Sequence, residues 1–369
     1  MQTRDLIASR LEQACRQGVF PGASLLVGVE GELTYARVVG LARREPTAEP
    51  LGVGTWFDLA SVTKALGTSV AVMLAVDRGQ GDLSEPLGER LPLPPPLATL
   101  TPWHLLAHTS GLPAWRPLYQ ELDEARHRDG GLEHRAAARQ FLRTRVAATP
   151  LEYAPGTRAV YSDLGFMLLD WWLEQVFAAR LDRILQEELF GPLGCREIGF
   201  VDLDHPPAPP PGGYAATERC AWRGGVVQGQ VHDQNSWAMG GVSGQAGLFG
   251  TAREVHRVLT ALWRAFRGEA PWLGADTVRR FWSPSGVPGS TFRLGWDGPS
   301  ETGYSAAGAR MSRQAVGHLG FTGCSVWLEP EAGRWVVLLT NRVHPSAENP
   351  RLRPFRPLIH DLVLAEVLR

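Results

Sequence analysis

Lysine is almost missing from this sequence. The 369-residue chain holds one, Lys64, while the remaining 36 of its 37 basic residues are arginine. A general preference for arginine accounts for the bias, but not for where the exception stands. Arginine stays charged throughout, whereas a lysine can be tuned to act as a base. The lone lysine stands three residues after a serine, in Phe57-Asp58-Leu59-Ala60-Ser61-Val62-Thr63-Lys64.

Other scarcities narrow the class. The four cysteines (Cys15, Cys195, Cys220, Cys324) are scattered and show no metal-ligand spacing, so neither a cysteine metal site nor a disulfide framework is expected. No apolar run approaches the roughly 20 residues of a membrane helix. The N-terminal stretch carries Arg4, Asp5, Arg10, Glu12 and Arg16, which leaves no uninterrupted apolar core of a secretory signal. The expected location is therefore cytoplasmic. Charge of one sign is also lacking: 37 basic residues face 38 acidic ones, for a net charge of -1. That balance argues against nucleic acid or an anionic membrane as the main partner. What is present fits a folded protein, with 44% hydrophobic and 20% charged residues.

The patterning gives an outline. Leu6, Ile7, Leu11, Ala14 and Cys15 share a helical face at the N-terminus. Gly22–Val29 and Leu33–Val39 read as a hairpin, as do Cys324–Glu329 and Arg334–Thr340 around Pro330–Gly333. Helices are expected from Ser61 to Asp77, from Leu164 to Ala179, from Arg253 to Arg267 behind a Thr251 cap, and from Phe355 to Leu368. Thr157–Val160 reads as a short strand. Strands at both ends and helices between them predict an α/β fold of the α+β type. Residues 1–78 and 250–369 would build one antiparallel sheet with terminal helices. Residues 79–249 would form a mostly helical insert, with a proline-rich loop at 204–213. The cleft between the two parts is the expected ligand site.

Ser61 and Lys64 lie one turn apart on one face of the predicted helix, so the amine reaches the hydroxyl. A serine hydroxyl is a weak nucleophile without an adjacent base. Lysine is protonated near neutrality, and burial or a nearby positive group is expected to lower its pKa and free the amine. The backbone N–H of Ser61, at the helix N-terminus, is placed to help bind an oxyanion.

Ser61-Val-Thr-Lys64 resembles the first motif of the serine β-lactamase and penicillin-binding protein superfamily, in the form seen in class C β-lactamases, R61-type D-alanyl-D-alanine carboxypeptidases and family VIII esterases. Leu105–Pro113 resembles the LLTHTSGLP segment of that group. Tyr161-Ser-Asp163 resembles its Tyr-x-Asn motif, and Gly317-His-Leu-Gly-Phe-Thr-Gly323 its Lys-Thr-Gly or His-x-Gly motif. The resemblance covers about residues 5 to 345. It implies a β-lactamase/transpeptidase-like fold and a serine hydrolase working through an acyl-enzyme, with no metal or organic cofactor. Tyr161 would share proton transfer with Lys64. His318 would line the site and contact substrate or Tyr161. The N–H groups of Ser61 and Phe321 would hold the oxyanion. Asp163, Gly320 and His232 are expected beside the substrate.

Asp163 stands where the group commonly has asparagine, and His318 where it commonly has lysine. Both changes make the site less positive. They shift the expected substrate from β-lactams toward esters or other neutral acyl compounds, with a carboxylesterase or D-amino-acid peptidase ranked first. The alternatives are a penicillin-binding or sensor protein with slow turnover, and a class C-like β-lactamase. The partner is in each case a small ester, amide or β-lactam.

Weaker signals are set aside. His104 and His108 have the spacing of a zinc pair but lack the glutamate of HExxH. Gly241-Val-Ser-Gly-Gln245 only half matches a nucleophile elbow, which argues against Ser243. His232, Asp233 and Asn235 are candidates for the rim of the site.

Overall fold

The computed structural model describes residues 3–129 and 134–367. The expected ends of the first and last helices, at residues 1–2 and 368, lie outside the described residues.

Helix α1 (Thr3–Arg16) leads into strands β1 (Gly22–Val29) and β2 (Glu32–Arg43), with β3 (Glu49–Pro50) along the edge of β2. Strand β4 (Phe57–Asp58) ends just before Ser61. The expected regular helix from Ser61 is instead a π-helix over Lys64–Ser69 continued by α2 (Val70–Asp77). All six residues of the π-helix are buried, so no polar stripe in the sequence marks its period.

The middle of the chain is mainly helical. It contains α3 (Pro102–Leu106), α4 (Leu118–Asp129), α5 (Arg135–Ala147), α6 (Asp163–Phe177) and α7 (Leu181–Leu185). Thr157–Val160 is irregular, not a strand. The Val160 N–H donates to the carbonyl of His108 at 2.8 Å, which fixes the approach to Tyr161. Strand β5 (Ile198–Phe200), a small ribbon of β6 (Arg219–Cys220) and β7 (Gly225–Val226), helix α8 (Gln234–Ala238) and strand β8 (Leu248–Gly250) follow. Strand β8 pairs with both β4 and β5. Residues 204–210, in the proline-rich stretch, form neither helix nor strand.

Thr251 caps α9 (Ala252–Phe266) through the Glu254 N–H at 3.3 Å, as expected. Helix α10 (Ala275–Trp282) precedes β9 (Val316–Leu319), β10 (Ser325–Glu329), β11 (Arg334–Thr340) and the closing α11 (Leu352–Glu366).

The two ends of the chain join in one six-stranded antiparallel sheet of order β3-β2-β1-β11-β10-β9. Both of its faces are buried, so its central strands are apolar throughout rather than alternating. Ala23, Leu25 and Val27 face Ile7 and Leu11 of α1 and Ile359 of α11. Leu26, Val337 and Leu339 join the larger cluster, which runs on through α2, α6 and α9. That cluster crosses the boundaries expected near residues 78 and 250 without a break. His318 lies inside β9, opposite Val326. Gly320–Cys324 is a tight turn, with Gly323 at φ 118°.

Candidate active site

The nucleophile candidate sits on a tied turn. The Asp58 carboxylate accepts the Ala60 N–H at 2.8 Å with one oxygen and the His232 N–H at 2.6 Å with the other. Its backbone carbonyl accepts the Thr322 hydroxyl at 2.6 Å. One residue therefore links the turn before Ser61 to two walls of the cleft. Ala60 has φ 46°, a left-handed conformation uncommon for a residue with a side chain. Among the described residues, neither the Ser61 nor the Phe321 N–H is bonded to a protein acceptor. Both therefore remain available for an external oxygen.

Behind Ser61, the π-helix buries Lys64 completely. Its amine donates to Ser61 Oγ at 3.1 Å and to the Gln245 carbonyl at 2.7 Å, and pairs with Asp163 Oδ1 at 2.7 Å. Burial pushes the Lys64 pKa down, but the Asp163 carboxylate and Tyr161 outweigh it, and the net shift is upward. The expected downward shift is thus reversed by the Asp163 carboxylate 2.7 Å away. Burial also raises the carboxyl of Asp163, against the pull of Lys64. Burial raises the Tyr161 hydroxyl as well, despite Lys64, and that hydroxyl bonds with both Ser61 and Lys64.

Ser162 places Tyr161 and Asp163 by capping α6, accepting the Gly165 N–H at 3.3 Å. His318 Nδ1 donates to the Leu319 carbonyl at 2.8 Å, which leaves Nε2 as an acceptor. Burial, helped by Lys64, lowers the His318 pKa to about 3, so the ring is neutral. Its centroid lies 6.1 Å from that of Tyr161.

A cleft of about 820 Å³ opens over these groups. Ser61, Tyr161, Asp163, His232, His318 and Gly320 all line it, and Phe321 forms part of its wall. The exposed Phe321 ring stacks on His232 at 5.5 Å and lies 4.8 Å from the Arg342 guanidinium. His232 Nε2 in turn bonds to Glu218 at 2.8 Å. Asp233 reaches the cleft, whereas Asn235 is fully buried and ties Tyr119 to Arg116.

Several site residues escaped the sequence reading. Gln245 contributes a carbonyl from the glycine-rich stretch, and no side-chain pattern reports that. Arg342 and Arg356 line the cleft and have no carboxylate partner among the described residues; they bond to backbone carbonyls instead. They restore positive charge, which removes the electrostatic ground for expecting a neutral substrate. Trp115 and Phe292 complete an aromatic wall.

The rejected candidates have other roles. His104 caps its own helix, its Nδ1 accepting the Thr101 N–H at 3.2 Å. His108, at φ 57°, accepts the Ser162 N–H at 3.1 Å and packs 4.6 Å from the Tyr161 ring. Ser243 is fully buried.

Comparison with known proteins bears on the family and the fold. The beta-lactamase family model matches residues 4–360. A protein of Escherichia coli K12 named "Putative D-alanyl-D-alanine carboxypeptidase" is 30% identical over 363 residues, covering 91% of this chain and 81% of its own. The octameric penicillin-binding protein homologue of Pyrococcus abyssi superposes with a TM-score of 0.72 at 20% identity, covering 98% of this chain and 77% of that one. EstCE1, described as a hydrolase with promiscuous acyltransferase activity, gives a TM-score of 0.71 at 24% identity, covering 98% of each chain.

Proposed function

Because the chain belongs to the beta-lactamase family, we propose that it is a serine hydrolase that cleaves small esters or amides through an acyl-enzyme on Ser61. The observation that carries this reading is the Ser61 hydroxyl at the base of the cleft, 3.1 Å from the only lysine. Lys64 and Tyr161 move the protons, and the Ser61 and Phe321 N–H groups receive the oxyanion. His318, being neutral with its proton on Nδ1, accepts a hydrogen bond at Nε2 without repelling Lys64. Asp163, Gly320 and His232 border the bound substrate. Arg342 and Arg356 favour a substrate with a carboxylate, as a D-amino-acid peptide has.

The test is p-nitrophenyl butyrate hydrolysis by the wild type and Ser61→Ala. Turnover by the wild type with at least a 10³-fold loss in the variant is expected, by the usual weight of an activated nucleophile. A variant as active as the wild type overturns the assignment. A silent wild type that forms a lasting penicillin adduct on Ser61 selects a penicillin-binding protein instead.

A further inference from the structure

As an ammonium, Lys64 has three protons and no lone pair. Nζ donates to Ser61 Oγ at 3.1 Å and to the Gln245 carbonyl at 2.7 Å, and it forms an ion pair with Asp163 Oδ1 at 2.7 Å, with the Tyr161 hydroxyl also beside it. In this state Nζ cannot take the Ser61 proton. It must first give one away. The Ser61 oxygen is the nucleophile, and the Gln245 oxygen belongs to a peptide amide of negligible basicity. Burial raises the Tyr161 hydroxyl and disfavours its phenolate, which leaves the carboxylate of Asp163 as the basic neighbour. An asparagine at this position has no such capacity.

We propose that Asp163 is the proton acceptor behind Lys64, taking an ammonium proton as Nζ takes the proton of Ser61. This rests on the acyl-enzyme reading above. In acylation the Ser61 O–H bond breaks and the Oγ–carbon bond forms. The carbonyl π pair moves onto the oxygen that faces the Ser61 and Phe321 N–H groups. The proton count stays constant: Ser61 loses one, Nζ gains one and loses one, and Oδ1 gains one. On collapse, the leaving oxygen or nitrogen takes a proton back from Nζ, which recovers its own from Asp163. Water repeats the cycle in deacylation.

The sign of the pH dependence follows. The path needs Asp163 ionised, so acylation falls as pH drops through its carboxyl pKa. Burial places that pKa above the ordinary carboxylate value, and Asp233 at the cap of α8 adds to the rise. Lys64 opposes it. Tyr161, His108 and His318 complete the titratable groups around the pair, and both histidines are held neutral by burial.

The experiment measures Ser61 labelling by a fluorophosphonate probe against pH, read by intact mass, in the wild type, D163N, D163E and S61A. D163N is expected to label about 10²-fold or more slowly, the usual weight of a general base. Its acidic limb should move to higher pH, because Lys64 is then the base. D163N labelling at the wild-type rate with the limb unmoved overturns the proposal. Should D163N fail to unfold cooperatively, D163E decides: the longer carboxylate must displace the limb, and an unmoved limb overturns the proposal. Labelled S61A, or an unlabelled wild type, defeats the acyl-enzyme reading itself. Unlabelled S61A beside an unaffected D163N defeats the proton path alone.

Discussion

Ala60 is held in a left-handed conformation, which costs a residue with a side chain about 1–2 kcal/mol. Asp58 offsets that cost through its bond to the Ala60 N–H and spends its second oxygen on the His232 N–H. Both donors lie in the protein interior, where an unmet N–H costs about 1–3 kcal/mol. Asp58→Ala orphans both at once. It is expected to lower stability by roughly 2–4 kcal/mol in urea unfolding. It should also slow Ser61 labelling in the fraction that remains folded, because the turn loses its tether. A variant that unfolds at the wild-type urea concentration and labels normally would show that the carboxylate does not hold the turn.

Among the elements, α6 bears most directly on the chemistry, because Tyr161 and Asp163 flank its cap. Ser162 Oγ accepts from Gly165 and donates to the Pro113 carbonyl at 2.7 Å, so the cap also ties α6 to the segment after α3. Ser162→Ala should cost about 1–2 kcal/mol, the usual range for a lost cap. Activity should fall further than stability accounts for, through misplacement of Tyr161 and Asp163. Equal losses in a kcat-against-urea-midpoint comparison would limit the cap to a structural role. The apolar stripe of α6 was legible in the sequence, as were both hairpins and the four motifs, because each is a local pattern. Three things were not local. Strands β4, β5 and β8 are two or three residues long, too short to show a period. The π-helix under Lys64 has no exposed side to reveal its pitch. The raised pKa of Lys64 depends on Asp163, about 100 residues away, and on no feature of the SxxK turn itself.

At the scale of the whole molecule, the site exists only where the sheet meets the helical body. Ser61 comes from the end of β4, Tyr161 from the cap of α6 and His318 from the edge strand β9. Gly320 marks how closely the two parts approach. A methyl group there would sit 2.5 Å from the Leu59 carbonyl, well inside contact distance, and 3.2 Å from Cys324 Cβ. Neither neighbour yields easily, since Leu59 is backbone in the nucleophile turn and Cys324 is buried beneath it. Gly320→Ala must therefore push the 320–324 turn away from Ser61, separating the two oxyanion donors. Overpacking of this kind costs about 1–3 kcal/mol, which a core of this size absorbs, so the fold should survive. The chemistry should not: a displacement near 1 Å at a reacting centre is enough for about 10²-fold. The expected result is a cooperatively folded protein with ester hydrolysis and Ser61 labelling both down about 10²-fold. Labelling at the wild-type rate would mean that the approach of the sheet to the nucleophile turn does not set the oxyanion geometry.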